Sequence, residues 1–424
     1  MREKTLCERL IADLRLLKQP EGWLTAGRPH RDTGVLLDPN LWIEDQEPTF
    51  DWLFGRDATI TALELLPMGN GPAIAKATLR ALVATQGKTH NWKREEQPGK
   101  ILHENRTTPA TQSDIPFWGF PYYGSIDATP LFIVLASEYV QRTNDWKYIR
   151  HIWDNLAAAA DWMQYWGDID GDYFIENAPQ SPYGIRNQVW KDFSPYAPTG
   201  PFWYPNAAIV EVQGYAYLAW TRMQWMAARI NKPWRRYADN ARALRSNFEN
   251  MFWDEDRRGY ALALDERKER LMTATSSQGH LLFTGIIRDQ KRMDALVRRL
   301  CAPDIWTPHG IRTMSSEEEG FDPYRYHQGS IWFHDNWLIW WGLERYPAFR
   351  DIAKELRKNL IRAACVLGEA PELHASDGGK LKTTDHVSGV GYKPANHVQA
   401  WSGAAVLNLL THDMTEGQRK EVVI

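Results

Sequence analysis

The chain has 424 residues, with 50 basic and 53 acidic side chains and a formal net charge of -3. This near-balance argues against a protein built to bind nucleic acid or an anionic membrane surface. Hydrophobic residues make up 43% of the chain and charged residues 24%, a globular composition that excludes intrinsic disorder. Length alone allows one large domain or up to about three small ones.

Tryptophan is over-represented, because the chain contains 21 Trp but only 17 Tyr and 14 Phe. Phe and Leu fill a core without an indole N–H, which needs a hydrogen-bond partner when it is buried. The excess of Trp therefore favours an aromatic-lined cavity, and sugar rings are the first ligands to consider.

The three cysteines, Cys7, Cys301 and Cys365, are odd in number and have no short spacing, so they predict neither a disulfide framework nor a zinc site. Their use favours a reducing compartment. The N-terminal sequence has mixed charge and lacks an apolar signal core. The longest uncharged stretch, Phe193 to Val210, holds four prolines, which excludes a membrane span. We therefore expect a cytoplasmic protein that does not enter a membrane.

Apolar residues at helical spacing predict about twelve helices. The segment 128–140 is apolar on all faces and is expected to be internal, whereas 146–166 is amphipathic and is expected to be an outer helix. Such an alternation is typical of two concentric helical layers. The predicted segments are 4–18, 57–67, 71–86, 127–143, 146–166, 206–230, 233–252, 275–285, 289–301, 328–346, 350–366 and 396–411.

Long connections rich in Gly, Pro and Trp separate these segments, at 19–56, 87–126, 167–205, 303–327 and 367–395. Loops of this length inside a compact domain are usually functional, and their recurrence after about every second helix would gather them at one end of a barrel. The competing arrangement, a helical solenoid, would show a repeat of fixed length, and the sequence has none. We expect an all-α fold in which residues 1–424 form a single (α/α)6 barrel, with the long loops on the active-site face.

The first candidate motif is Trp52-Leu53-Phe54-Gly55-Arg56-Asp57, at the start of a predicted buried helix. An Arg–Asp pair can hold adjacent hydroxyls of one sugar, because a guanidinium donates hydrogen bonds in a fixed fork and a carboxylate accepts them. Trp52 can then lie beneath the sugar ring. The structural alternative is that Asp57 only caps the helix.

The second motif, Asn187-Gln188-Val189-Trp190-Lys191-Asp192, lies in a loop rich in Pro and aromatic residues. A free Asp has a pKa of about 3.9, too low to hold a proton at neutral pH. Desolvation by Trp190, Phe193 and Phe202 would raise the pKa of Asp192 and make it a general acid. The alternative is a solvated ion pair between Asp192 and Lys191.

Two more carboxylates are candidates. Glu211 opens a predicted helix in Glu211-Val212-Gln213-Gly214-Tyr215, where it either belongs to the site or complements the helix dipole. Glu372, in Pro371-Glu372-Leu373-His374, is either a base that activates water or a surface residue of a loop.

His327, His334 and Asp335 lie within the segment 326–336 and raise the question of a metal site. The two histidines are two helical turns apart, Asp335 lies off their face, and no third ligand follows at i+3 or i+4 of either. We therefore expect a polar sugar-binding rim without a metal ion, and the alternative is a core or capping role.

Nine segments carry a resemblance when they are taken together and in order: Phe54–Asp57, Gly99–Glu104, Tyr122–Phe132, Arg186–Asp192, Glu211–Tyr215, Gly310–Thr313, Tyr326–Ser330, Trp332–Asn336 and Pro371–Leu373. From about residue 50 to the end, the chain resembles the bacterial and archaeal glycogen-debranching, amylo-alpha-1,6-glucosidase type of glycoside hydrolase. The order of nine motifs makes the resemblance specific for the fold and for a superfamily of inverting sugar hydrolases.

The resemblance implies an (α/α)6 barrel with Asp192 as general acid and Glu372 as general base, Glu211 being the reserve for the base. It implies an inverting enzyme that removes a terminal α-linked glucose, debranching-type, without a cofactor or metal ion. We expect the carbohydrate to contact Trp52, Arg56, Asp57, Tyr123, Asp127, Trp190, Lys191, Glu211, Gln213, His327, Trp332, His334, Asp335, Gln399 and Trp401.

The sequence departs from this family in three respects. Family members usually carry an N-terminal β-rich domain, whereas this chain reaches the barrel almost at once. The segment Arg31 to Thr49 is inserted before the Trp52 motif. His374-Ala375-Ser376 and Asn396-His397-Val398 replace the Phe-Cys-Gly and Cys-Ser-Pro that the family carries. These departures support an alternative activity, the hydrolysis of a small α-glucoside such as glucosylglycerate or a disaccharide.

Two alternatives belong to other classes. A non-catalytic carbohydrate-binding barrel would keep the Trp lining but lose a carboxylate, and this chain retains both Asp192 and Glu372. A sugar epimerase on a similar barrel would use a histidine pair, for which His327 and His334 qualify. The glycosidic linkage, the aglycone and the oligomeric state are left open.

Overall fold

The computed structural model describes residues 1–28, 50–107, 117–192, 206–384 and 395–424. The expected insertion at 31–49 and the aromatic neighbours Phe193 and Phe202 lie outside the described residues. The fold is mostly helical, with 51% helix and a few small sheets.

The helices follow the apolar periodicity of the sequence closely. Short 3-10 segments occur at Trp92–Arg94, Ser276–His280 and Pro347–Phe349, and a π-helical turn at Met163–Gly167. The α-helices are α1 Glu3–Leu17, α2 Gly55–Leu65, α3 Gly71–Thr85, α4 Ala128–Thr143, α5 Trp146–His151, α6 Trp153–Trp162, α7 Val210–Arg229, α8 Arg235–Met251, α9 Leu281–Thr284, α10 Gln290–Leu300, α11 Phe333–Glu344, α12 Arg350–Leu367, α13 Ala400–Thr411 and α14 Glu416–Glu421.

The helices pack in two layers. In the inner layer α2 contacts α4, α4 contacts α7, α7 contacts α9, α9 contacts α11, α11 contacts α13, and α13 contacts α2. Each outer helix covers inner ones: α3 packs on α2 and α4, α8 on α7, α12 on α11 and α13, and α1 on α13. This division follows from the sequence, because α4 and α13 are buried almost all round, whereas α8 and α12 bury only one face.

Short antiparallel strands connect the long loops. A four-stranded sheet has the order β4-β5-β8-β9, and the other strands pair in twos. The strands are β1 Gly27–Arg28, β2 Leu53–Phe54, β3 Glu104–Asn105, β4 Glu176–Asn177, β5 Ala207–Ile209, β6 Trp253–Asp254, β7 Gly259–Tyr260, β8 Ala263–Leu264, β9 Arg270–Leu271, β10 Trp306–Thr307, β11 Gly310–Ile311, β12 Ala375–Asp377, β13 Lys380–Lys382 and β14 Val398–Gln399.

Three predicted helices begin four or five residues later than expected, at the starts of α7, α11 and α13, and in the predicted helix 275–285 the 3-10 segment Ser276–His280 precedes α9. The residues just before α7 and α13 form strands β5 and β14, which pair with β4 and β1. The backbone of Ile331, just before α11, bridges to His374. These segments are buried and largely apolar, so the sequence pattern runs unbroken from strand into helix and hides the boundary. The predicted helix 146–166 is likewise divided, into α5, α6 and the π-turn.

One hydrophobic cluster runs through the molecule and includes residues from both ends of the chain, from Leu6 to Ile424. The three cysteines are free thiols. Within the described ranges, no helix combines the length and apolar character that crossing a membrane requires.

Candidate active site

The N-terminal ends of the inner helices carry most of the polar residues that the sequence singled out. A helix N-terminus presents unpaired backbone N–H groups and a partial positive charge, which favours nearby carboxylates. The residues at these ends, all buried, are Arg56 and Asp57 on α2, Asp127 before α4, Glu211 on α7, His334 and Asp335 on α11, and Trp401 on α13.

Arg56 lies at the centre of this group. Its Nη1 is 3.2 Å from both carboxylate oxygens of Asp127, and its Nη2 donates to Oδ2 of Asp192 at 2.6 Å. Its Nε is 3.8 Å from Oδ2 of Asp57. One guanidinium therefore faces three carboxylates. Asp57 lies in the first turn of α2, and the N-cap residue of this helix is Phe54. Asp57 therefore does not occupy the capping position.

Asp192 pairs with Arg56 and not with Lys191, so the alternative of a solvated loop ion pair is wrong. Burial acts to raise the pKa of Asp192, but the charge of Arg56, with contributions from His327 and His103, lowers it below its ordinary value. The expected rise from aromatic desolvation is therefore not observed. In this geometry Asp192 is an ionised carboxylate.

Asp57 differs from Asp192 in its protonation. Burial raises the pKa of Asp57 to about 7, with Arg56 opposing the rise and the charges of Asp192 and Glu372 adding to it. Asp57 is therefore close enough to both candidate catalytic carboxylates to be affected by their charges.

Glu372 is buried in the loop that precedes β12. The Tyr326 hydroxyl donates to its Oε1, and the Asn396 backbone N–H donates to its Oε2 at 3.1 Å. Its own backbone N–H donates to the Asn396 carbonyl at 2.8 Å. Burial and the adjacent carboxylate raise the pKa of Tyr326 well above its ordinary value, so this hydroxyl stays protonated and remains a donor. Glu372 is thus a positioned buried carboxylate, and its interpretation as a surface loop residue is wrong.

Aromatic rings form a wall beside these carboxylates. His334 stacks on Trp401 with ring centroids 3.6 Å apart, and His327 stacks on Trp332 at 5.0 Å. The Trp190 ring lies edge-on to His334 and His327, at 5.1 Å and 5.3 Å.

The polar atoms of this wall are not paired with one another. The ring nitrogens of His327 and His334 and the indole N–H of Trp190 make no hydrogen bond within the described part of the chain. His327 Nε2 is 3.9 Å from Asp192 Oδ1, beyond hydrogen-bond length. Burial lowers the pKa of His327 to about 4, so the ring is neutral near pH 7. Buried unpaired donors beside aromatic faces suit the hydroxyls and apolar faces of a sugar.

Lys191 points away from Asp192 into a second buried network. Its Nζ donates to the Thr313 carbonyl at 2.9 Å, and burial lowers its pKa to about 8. The charge of Glu211 acts on Lys191, and Glu211 accepts from the Ser277 hydroxyl at 3.3 Å. Glu211 Oε2 has no hydrogen-bond partner among the described residues. Lys191 and Glu211 therefore belong to a buried polar layer in which their charges compensate each other.

Asp335 belongs to another part of this polar layer. Its Oδ1 lies 2.8 Å from His280 Nε2, and His280 Nδ1 lies 2.6 Å from the Tyr215 hydroxyl. All three side chains are fully buried or nearly so. This hydrogen-bonded series of three side chains orients the first turn of α11, which carries His334.

Four residues of this region were not among the expected site residues. The Trp52 indole N–H donates to Glu104, Arg106 Nε donates to the same carboxylate at 3.1 Å, and the Arg106 guanidinium lies 4.3 Å from the Trp52 ring centroid. The charge of Asp192 acts on Glu104 and on His103. The signal for His103 and Glu104 was the segment Gly99–Glu104, but nothing in the sequence pointed to Arg106 or to the contact of Tyr326 with Glu372.

Three expected sugar contacts have other roles. The Tyr123 hydroxyl donates to the Thr85 carbonyl at 2.7 Å, at the end of α3. The Gln213 amide bonds to backbone groups, accepting from Ile175 and donating to Ile175 and Ile209. In the orientation that satisfies its amide, Gln399 bonds to the Ala26 carbonyl and to the Trp401 indole. Tyr123 and Gln213 are therefore structural, while Gln399 orients Trp401.

Metal-ligand geometry occurs elsewhere. Within the described ranges, Asp168, Asp170 and Glu176 have oxygens within 4.8 Å of one another. The Lys268 ammonium lies 2.8 Å from Asp170 and 3.0 Å from Glu176 and compensates their charge. This group includes none of the residues at the N-terminal ends of the inner helices.

Comparison with known proteins identifies the family. Residues 53–386 match the mannosylglycerate hydrolase MGH1-like glycoside hydrolase domain, a range that contains all nine motifs. The chain belongs to this family of glycoside hydrolases. Membership supports an enzyme and gives no support to the binding-protein and epimerase alternatives.

A mannosylglycerate hydrolase resembles part of the chain in sequence. The chain is 23% identical over 174 residues to a mannosylglycerate hydrolase from Rubrobacter radiotolerans, covering 40% of this chain and 36% of that protein. The match thus spans little more than a third of that curated relative.

Solved structures extend the likeness to nearly the whole chain. A GH63 mannosylglycerate hydrolase from Thermus thermophilus, in complex with Tris and D-glycerate, has a TM-score of 0.69 at 14% identity, covering 95% of this chain and 99% of that one. The same enzyme in complex with glucose gives a TM-score of 0.66 at 15% identity, with the same coverage. These structures share the fold of the chain.

The comparisons correct the expected activity. The debranching type is not supported, although debranching enzymes belong to the same clan as this family. The alternative activity on a small glycoside fits the family better.

Proposed function

We propose that the protein hydrolyses a small α-hexoside, such as glucosylglycerate or mannosylglycerate, with inversion at the anomeric carbon. The observation that carries this proposal is a buried cluster in which Arg56 pairs with Asp192 next to Asp57, together with Glu372, which is buried and held by Tyr326 and Asn396. Two carboxylates with different surroundings divide the roles of acid and base. The names of the Rubrobacter and Thermus relatives supply the substrate class.

In this mechanism Asp192 gives a proton to the glycosidic oxygen as the bond from that oxygen to the anomeric carbon breaks. A water molecule attacks the anomeric carbon from the opposite face and gives its proton to Glu372. Tyr326 and the Asn396 backbone N–H hold Glu372 in position for this transfer. An inverting pair of carboxyl groups lies roughly 6.5–9.5 Å apart to leave room for the water, and a retaining pair about 5–5.5 Å apart.

The remaining expected contacts fit the terminal sugar. Arg56 and Asp57 would hold adjacent hydroxyls, while the Trp52, Trp190, Trp332 and Trp401 rings would face the sugar. Asp127 acts through Arg56, which it orients with both carboxylate oxygens. His327 and His334 would offer ring nitrogens to the hydroxyls, and Lys191, Glu211 and Asp335 would support the site from behind.

The architecture that supports this chemistry is, in our proposal, a single (α/α)6 barrel. The ring of contacts from α2 through α4, α7, α9, α11 and α13 back to α2 supports six inner helices, with the remaining long helices outside them. The continuous core from Leu6 to Ile424 supports one domain. The free thiols support action in a reducing compartment such as the cytoplasm.

The test is hydrolysis of a panel of α-glycosides, with the anomer of the released sugar determined by NMR before mutarotation. The panel contains glucosylglycerate, mannosylglycerate, α-linked glucose disaccharides and a branched dextrin. We expect release from a glycerate glycoside, with the β-anomer appearing first. If sugar is released from the dextrin alone, the activity is debranching. If the α-anomer appears first, inversion is excluded. If no panel member releases sugar, the proposed enzymatic activity is rejected.

A further inference from the structure

Arg56 holds Asp192 in the ionised form, but a general acid must carry a proton before it can act. We propose that the bound sugar draws the Arg56 guanidinium away from Asp192 and that Asp192 then takes up a proton from solvent. This inference rests on the function proposed above, in which Asp192 is the acid. Arg56 would then be a positioning residue, because it would allow Asp192 to become protonated only when a sugar is bound.

The contacts of Arg56 differ in how easily they can be exchanged. Asp127 is fully buried, takes Arg56 with both oxygens at 3.2 Å, and accepts from the Ser125 hydroxyl at 2.7 Å. Asp192 keeps 23% of its side chain exposed, compared with 9% for Asp57 and 0% for Asp127. Asp192 is therefore the partner that an incoming ligand can reach.

Sugar hydroxyls that enter beside the partly exposed Asp192 can compete with it for the buried guanidinium of Arg56. An Arg side chain has five N–H donors in a rigid fork, and a hydroxyl oxygen accepts such a bond through its lone pairs. Arg56 Nε is buried and makes no hydrogen bond to a described residue, so Nη2, which donates to Asp192, is the donor that an entering hydroxyl can take. Asp127 holds the guanidinium in the site while its Nη2 changes partner.

Without Arg56, the surroundings of Asp192 favour the neutral acid. The other basic side chains that act on it are His103 and His327, whose pKa values burial lowers to about 3 and about 4, so both are neutral near pH 7. The carboxyls of Asp57 and Glu104 act in the opposite direction, and the nearby cation Arg106 is paired with Glu104 at 3.1 Å. Burial next to acidic groups disfavours a carboxylate.

The proton balance closes over one turnover. The Asp192 carboxylate gains one proton from solvent when the sugar binds, and the exposed part of the side chain gives that proton a route. Asp192 passes this proton to the glycosidic oxygen of the leaving group. Glu372 returns to solvent the proton that it took from the attacking water. When the sugar leaves, the Asp192 carboxylate pairs with Arg56 again, and the site is back in its starting state.

The experiment is a measurement of the Kd of D-glucose and of D-mannose by titration calorimetry, from about pH 5.5 to pH 8.5. Neither sugar titrates in this range, so a pH dependence of Kd reports a proton taken up by the protein. We expect Kd to rise by up to about tenfold per pH unit, because one proton is bound with the sugar. A Kd that is constant with pH, or no binding of either sugar, would overturn the inference.

Matched variants identify the group that takes the proton. Asp192→Asn should lose most of the pH dependence of Kd and keep only the part due to Asp57, whose pKa is about 7, whereas Asp351→Asn, at an exposed aspartate of α12, should keep the full slope. Arg56→Gln should bind more weakly and lose the slope although Asp192 is present, because nothing then holds the carboxylate ionised. An unchanged slope in Asp192→Asn would reject Asp192 as the group concerned.

These binding measurements do not depend on turnover, so they separate this inference from the proposed function. If no panel member is hydrolysed but Kd depends on pH and Asp192→Asn removes most of that dependence, the enzymatic function is rejected and the proton linkage is kept. Hydrolysis with a constant Kd would keep the enzyme and reject the linkage.

Discussion

At the scale of single residues, the two candidate catalytic carboxylates differ in what touches them. Glu372 accepts from a tyrosine hydroxyl and a backbone N–H, both of which are neutral donors. Asp192 accepts from the charged guanidinium of Arg56. A sugar can displace the contact between Arg56 and Asp192 more readily than the contacts of Glu372, because Asp192 is partly exposed and Glu372 is buried.

The first prediction concerns Asp192→Asn. An amide cannot donate a carboxylic proton, so we expect kcat on the best panel substrate to fall about 10²–10⁴-fold, with sugar binding retained. The measurement is steady-state kinetics together with sugar titration, and Asp351→Asn is the control. Turnover close to that of the unmodified enzyme would show that another residue is the acid.

The second prediction concerns Glu64, a fully buried residue of α2 that the mechanism does not use. Neither of its carboxylate oxygens has a hydrogen-bond partner among the described residues, and burial raises its pKa well above the ordinary value. The folded chain therefore keeps a proton that the unfolded chain loses above about pH 4.3. The contribution of this group to stability is then fully present at low pH and is lost as pH rises towards the pKa of the folded state.

We accordingly expect Glu64→Gln to raise the melting temperature, and to raise it more at pH 8 than at pH 5. The amide is neutral in both the folded and the unfolded chain, so no proton has to be taken up on folding, and the shape of the side chain is kept. Thermal unfolding at the two pH values measures the effect, with Glu355→Gln on the exposed face of α12 as the control. A larger gain at pH 5 than at pH 8 would contradict the sign.

At the scale of elements, the start of α2 is set by its contact with the segment before β3. Gly55 donates its backbone N–H to the His103 carbonyl at 2.9 Å. A Cβ at Gly55 would lie 2.1 Å from the Leu102 carbonyl oxygen and 3.1 Å from the Ile101 side chain. A side chain at this position therefore requires the backbone to move, and Arg56 and Asp57 follow directly.

The third prediction is that Gly55→Ala lowers both kcat and stability, the latter by about 1–3 kcal/mol, as expected for overpacking. The crowding moves the first turn of α2 away from Asp127 and Asp192. Gly417→Ala, in the exposed helix α14, is the control and should be neutral or slightly stabilising. Unchanged kcat in Gly55→Ala would mean that the site tolerates a shift of α2.

At the scale of the whole molecule, the first and last parts of the chain pack together. Helix α1 covers α13, and strand β1 pairs with β14. Gly27 in β1 allows this approach, because a Cβ there would lie 2.2 Å from Gln399 Oε1 and 3.0 Å from the Val398 carbonyl oxygen. The ring of inner helices is therefore supported from outside by residues distant in sequence, as a single cooperative unit requires.

The fourth prediction is a single calorimetric unfolding transition. Leu10, buried on α1, belongs to the continuous core, so Leu10→Ala should cost about 2–5 kcal/mol and move the whole transition to lower temperature. Differential scanning calorimetry of both proteins measures this. Two resolved peaks in either protein would contradict the single domain.

Much of the fold follows from local pattern. The apolar periodicity predicted most helices within two or three residues, and it failed where a buried strand led directly into a helix, as before Val210 and Ala400. Most site residues could also be anticipated, because they stand at helix starts within recognisable motifs. Tyr326 and Arg106 could not be assigned roles, since their partners are set by folding.

Helical periodicity and side-chain type are local properties, so the sequence predicted most helices and most of the buried polar residues that the inner helices bring together. The charge states of these side chains depend instead on contacts that form only when the chain folds. Arg56 and Asp192 are 136 positions apart, and Lys191 lies 122 positions from the Thr313 carbonyl it binds. Protonation depends on the charges and solvent that surround a group, and folding alone brings those neighbours together.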